Sequence, residues 1–345
     1  MIAIPEKCQN AHNLCFILHD IMTQIIVSGE KANAFTVKVK LSEEEKRSIS
    51  DEENIIDWLK KNDRTEDKNK IISATVLPAI LSDMMHCIYE ALSSAYKGKM
   101  AVAYMLIRKP IQESLFVLEE MQIDKSAFVS NLENDQSRLQ PKVTGGIDGH
   151  EKRISKVLDS LGFNGVLDPK YIAQLRYDKS SDDSFDGVCN KAMHLFTGHH
   201  AIKTEDLNIN FIFSGVKGLP SQWKYFYSRL PYLLFYIYLV VEHVLENTAP
   251  TSEQYILDMM RRISAQFILA SLDVEDRYAT DENDKLVSSL SAWLSEHCIE
   301  NDFPKPELSD LKEMAKTGGF PNEPQDSIDK RIASYSAEQE VVKHI

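Results

Sequence analysis

Basic residues are scarce in this chain relative to acidic ones: 39 Lys and Arg stand against 52 Asp and Glu, a formal net charge of −13. Such a surface repels phosphate backbones and anionic headgroups, which excludes bulk, charge-driven nucleic-acid binding. The densest basic points are the pairs Lys60 with Lys61, Arg261 with Arg262 and Lys330 with Arg331, and none is a patch. The cysteines number only five, Cys8, Cys15, Cys87, Cys189 and Cys298. An odd, scattered set embedded in apolar patterns is unlike a secreted disulfide framework or a zinc site and reads as reduced core thiols. The opening MIAIPEKCQNAHN carries no basic leader, apolar run or small-residue cleavage site, so a cytoplasmic protein is expected. The apolar run from Leu230 to Val241 is bracketed by Arg229 and Glu242. It falls short of the about 20 residues needed to cross a bilayer, which predicts a core helix and no membrane anchor.

Signatures that cradle phosphate or activate a nucleophile are missing too. There is no GxxxxGKS or GxxxxGKT, no GxGxxG after a strand, no GxSxG, no HExxH and no closely spaced cysteine pair. Neither a cofactor nor a metal site is expected.

What the chain does have is a globular balance, 43% hydrophobic and 26% charged, over 345 residues. Apolar residues recur at three-and-four spacing along most of it. The pattern predicts helices over about 10–28, 70–97, 99–123, 151–161, 184–197, 220–246, 252–272 and 284–300. Ser42 followed by Glu43, Glu44 and Glu45 reads as a capping box. Pro78, Pro110 and Pro231 fall inside helical patterns, where each should kink or break the helix. Two segments alternate instead: Phe35, Val37, Val39 and Leu41 against Thr36, Lys38 and Lys40, and NINFIF at 208–213. Period two predicts strands there, which can pair in a small sheet. The expected fold is therefore mainly α, a multi-helix bundle with at most a small accessory β element. Its organisation reads as an N-terminal region 1–69, a main bundle 70–300, and a polar, Pro- and Gly-interrupted tail 301–345 that is loosely docked or partly disordered.

Three groups of residues can carry chemistry. Asp83, His86 and Glu90 share a helix face and have metal-ligand side chains. At about 100° per residue they lie opposite the apolar stripe, so a solvated face is the expectation. Arg108 and Glu113 interrupt the most apolar helix, where an unpaired charge is costly. Five residues apart places them about 140° round an α-helix, so each should reach a different neighbour. His194 and Asn190 form an i, i+4 pair, with His199 and His200 just beyond Gly198. Histidine titrates near neutral pH and is the commonest general base.

The segment AYMLIRKPIQESLFVLEE, followed some way on by CNKAMHLF, resembles the HEPN-type helical bundles of prokaryotic toxin and defence systems, over at most Lys70 to Asn247. That resemblance implies a helical dimer whose active members are metal-independent ribonucleases. It places His194, Arg108 and Glu113 in the catalytic position; Asn190, His199 and His200, concentrated around His194 in the sequence, are the expected ligand-binding residues. The active pattern has Arg four to six residues before His, and no Arg of this chain stands at that distance from any His. The expectation is accordingly a noncatalytic binding or regulatory module of an intracellular, prokaryotic protein, acting as a homodimer or with a protein partner. The alternative is an RNA-cleaving toxin or defence effector, the one reading in which RNA is a partner. Eight aromatics between Trp223 and Tyr238 can either face a partner or fill the chain's own core, with the core expected for most.

Overall fold

A computed structural model describes residues 4–49, 54–194, 218–246 and 250–341. Its helices are α1 (Gln9–Lys31), α2 (Glu43–Ser48), α3 (Ile55–Lys61), α4 (Thr65–Tyr96), α5 (Met100–Lys109), α6 (Leu115–Ile123), α7 (Lys125–Asn134) and α8 (Ile147–Leu161). They continue with α9 (Pro169–Tyr177), α10 (Phe185–Met193), α11 (Leu219–Glu246), α12 (Glu253–Ser271), α13 (Asp281–Glu300), α14 (Leu308–Thr317) and α15 (Gln325–Val341). The fold is a mainly α multi-helix bundle. Among the described residues there is no sheet, only an isolated bridge between Asn164 and Leu167.

The bundle is organised by α11, the one helix buried nearly all round: residues 230–241 are all buried. A helix apolar on every side belongs in the middle of others, and α11 packs against α1, α5, α6 and α8. Its aromatics fill this core. Trp223, Phe226, Tyr227, Tyr232, Phe235, Tyr236 and Tyr238 are buried, so they form no free docking face. Their polar tips explain how tyrosine and tryptophan are tolerated there, since a buried hydroxyl or indole N–H needs a partner. Trp223 Nε1 donates to the Ala95 carbonyl at 2.6 Å, and the Tyr232 hydroxyl accepts from Asp168 N at 2.8 Å. The Tyr227 hydroxyl meets His12 Nδ1 at 2.7 Å.

All five cysteines are free thiols, four of them buried. The capping box forms as spaced: Ser42 Oγ accepts from Glu45 N at 3.2 Å, and Glu45 Oε2 accepts from Ser42 N at 2.7 Å. The alternating segment from Phe35 to Leu41 is not a strand. Its odd-numbered side chains are half-buried and its even-numbered ones exposed, as period two requires, yet no described strand lies beside it to form a ladder. Alternation reports which side faces the core, and a strand needs a hydrogen-bonded neighbour as well. The second alternating segment, 208–213, lies outside the described residues, as do His199 and His200.

Two of the three helical prolines break nothing. Pro78 lies inside α4 and Pro231 inside α11, and both helices run on. Helix α4 also begins at Thr65, ahead of the boundary expected near residue 69, and α1 packs on α4, α11 and α12 in the same core as the rest. By length and composition α4 is the one described helix long and apolar enough to cross a membrane; here it packs against α1 and α5.

The C-terminal region is docked. Helix α14 packs on α12, where Leu311, Met314 and Ala315 close a second apolar cluster with Ala265, Leu269, Leu294 and Cys298. A polar clasp fastens it. Arg261 pairs with Asp258 and donates to the Gly318 carbonyl at 2.6 Å. Arg331 from α15 donates to both Asp258 oxygens at 2.9 Å and pairs with Glu323. Phe320 stacks on Phe303 at 4.4 Å, with the Arg261 guanidinium 4.1 Å above its ring. Glycines and prolines in this stretch shape turns between docked helices and do not mark a loose end.

Candidate functional site

The winding of the chain changes at Pro110. With no N–H to give, this proline interrupts the α ladder, and residues Pro110–Ser114 form a π turn in which Leu115 N–H reaches back to the Pro110 carbonyl. In i, i+5 winding, residues five apart come over one another. Arg108 Nη1 therefore lies 3.3 Å from Glu113 Oε1, which corrects the expectation that the two point to different neighbours. Arg108 is half-buried and Glu113 exposed, so neither charge is buried as the apolar sequence around them suggests.

The carbonyls inside the π turn are taken up by α9. Arg176 Nε donates to the Ile111 carbonyl at 2.6 Å, and the Tyr177 hydroxyl donates to the Gln112 carbonyl at 2.9 Å. Gln112, buried within the turn, donates through Nε2 to the Arg176 carbonyl at 2.6 Å and to Asp186 Oδ1 at 2.7 Å. Asn190 donates through Nδ2 to Asp186 Oδ2 at 3.2 Å.

Beneath the turn sits a carboxylate with no exposure at all, Glu119. Its Oε1 accepts from Arg176 Nη1 at 2.6 Å and from the Tyr236 hydroxyl at 2.7 Å. Its Oε2 accepts from Arg176 Nη2 at 3.2 Å and lies 2.6 Å from Arg153 Nη2. Burial alone would push this carboxyl up; the Arg153 and Arg176 guanidiniums outweigh it and hold the group down at about 2. Arg153 also lies 3.9 Å over the Phe116 ring.

Above this floor opens a cavity of about 1450 Å3, bounded by α4, the π turn, the Pro141–Thr144 turn, α8 and the end of α9. Val76, Ile80, Val117, Leu139 and Ile147 give it an apolar side. Gln112, His150, Tyr177 and Asp186 give it a polar end, with Arg108 and Glu113 on the wall. His150 is buried and stacks on Tyr177, ring centroids 3.7 Å apart. Burial first, then Arg153 and Arg176, push its imidazole down to about 3, so it is neutral near pH 7.

The cavity thus gathers Arg108 and Glu113, with Asn190 one hydrogen bond behind, but not His194. That residue caps the end of α10 in an exposed position, its N–H on the Asn190 carbonyl at 3.1 Å. Of the other trio, Asp83 lines the cavity and pairs with Lys109 at 2.7 Å, whereas His86 and Glu90 are exposed. No group of three His, Cys, Asp or Glu among the described residues can hold a metal ion. The reading from sequence missed Glu119, Arg153, Arg176, Gln112, His150 and Asp186. The available signal was Glu119 itself, a charge inside the apolar run LFVLEE; its partners sit on other helices that no local spacing connects to it.

No protein-family model matches the chain, and neither the curated proteins nor the solved structures yield a significant match.

Proposed function

We propose that this chain is a noncatalytic binding or regulatory module whose small-molecule ligand sits in the cavity over the π turn. The observation that carries this reading is the cavity itself. It is large enough for a drug-sized molecule, apolar on one side, and its polar end is made of buried groups fixed by one another. Its histidine is held neutral and far from a working acid–base range, and none of the hydroxyls in the lining is hydrogen-bonded to it. Such a site recognises without transforming.

One arrangement supports the alternative, an RNA-cleaving effector: Arg108 and Glu113 line the same cavity as Asp186, on the helix that ends at His194. Incubation of the purified protein with RNA separates the two readings. Inert wild type supports the binding module; cleavage that disappears in His194→Ala while the fold survives supports the effector. The binding site is tested by thermal shift against a panel of amino acids, nucleotides and aromatic acids, on wild type and on Val117→Trp, which puts an indole on the cavity's apolar side and narrows it. A ligand of the cavity raises the wild-type midpoint by mass action and raises that of the narrowed variant less. Equal shifts in both, or none in either, contradict the assignment.

A further inference from the structure

On the other flank of α4, a second cavity of about 510 Å3 opens between the extended segment after α1, the α6–α7 junction and the end of α11. Its aliphatic side is Val37, Ala74, Leu77, Met121 and Val244. Every charged or titratable side chain lining it is basic: Lys70, Lys125 and His243. In a chain carrying −13, no described carboxylate lines this cavity. Lys70 and His243 each have a surface carboxylate outside it, Glu66 at 3.0 Å and Glu246 at 3.4 Å. Lys125 has no ion-pair partner among the described residues, and both burial and the neighbouring Lys70 charge lower its affinity for a proton. Ser73, also lining the cavity, is 3% exposed, and its hydroxyl has no hydrogen-bond partner among the described residues. A buried hydroxyl left without a partner is costly, which makes it a donor waiting for an acceptor.

We propose that this cavity is a binding site for a carboxylate with a short aliphatic body, its charge met by Lys125 with Lys70 and His243, its chain lying along Leu77 and Met121. A headgroup alone would leave the aliphatic side wet, and an uncharged chain would leave unused the three basic groups at the mouth, of which Lys125 and Lys70 are exposed to solvent. The site is separate from the cavity over the π turn and does not rest on the function proposed for it.

The test is isothermal titration of the full chain with octanoate, octanol, octylammonium and inorganic phosphate. Octanoate binds, and octanol and phosphate bind at least about tenfold more weakly, the scale of one charge-assisted hydrogen bond. Octylammonium does not bind. Lys125→Met weakens octanoate by about tenfold, Ser73→Ala weakens it less, and Lys285→Met, on exposed α13 surface, leaves it unchanged. Absence of octanoate binding to wild type, equal binding of octanol or phosphate, or full affinity in Lys125→Met overturns the proposal.

Discussion

At Glu119 one carboxylate answers two buried guanidiniums and a tyrosine hydroxyl. Removing one member of such a group leaves the others desolvated and unpaired, which is far costlier than losing a surface ion pair. His150, beside it, carries its own consequence. Its folded pKa of about 3 lies below the 6.5 of a free imidazole, so the unfolded chain binds the proton more readily. The stability this contributes is present above pH 6.5 and is lost as the pH falls from there towards 3. Each such group gives a slope of about 1.4 kcal/mol per pH unit. His150→Phe should therefore show a shallower loss of unfolding free energy between pH 6.5 and 4 than wild type by about that slope, measured by urea titration at several pH values. Parallel pH profiles would mean that His150 is not held neutral. None of this was legible in sequence, because it depends on Arg153 and Arg176 reaching Glu119 from α8 and α9 and on the packing that buries His150.

Helices were the most legible level, since three-and-four spacing survives any tertiary arrangement. What it could not convey was winding. An angle count built on α geometry set Arg108 and Glu113 apart, and the π turn at Pro110 brought them together. Proline alone does not predict this, as Pro78 and Pro231 sit in uninterrupted helices. The difference at Pro110 is that Arg176 and Tyr177 take up carbonyls of the turn. The Phe35–Leu41 segment makes a similar point, with the right faces and no neighbouring strand. At the other end of the chain, Gly318 terminates α14 with φ +70°, and a Cβ there would meet the Asp258 carbonyl oxygen at 2.8 Å. Gly318→Ala should cost at least about 1–3 kcal/mol, read as a lowered urea midpoint; an unchanged midpoint would show that the clasp around Asp258 is not tight.

Across the whole molecule, composition and periodicity were enough for the fold class, while the way the segments share cores was not. The region after Asn301 reads as a tail because its turn-forming residues outnumber its apolar ones, yet Leu311, Met314 and Ala315 cover an apolar cluster on α12 and α13. A chain ending at Glu300 should unfold at lower urea than the full chain and expose α12 to proteolysis; a loose tail would leave both unchanged. Candidate chemistry was half legible. Arg108 and Glu113 line the main cavity, whereas His194 stands outside it. The Glu119 cluster holds the π turn, and the π turn shapes the cavity. Hydrogen exchange on Glu119→Gln tests it most directly. The variant should exchange faster across residues 108–119, 147–161 and 169–177, with α12 and α14 protected as in wild type. Exchange that rises evenly over the whole chain, or not at all, would contradict it.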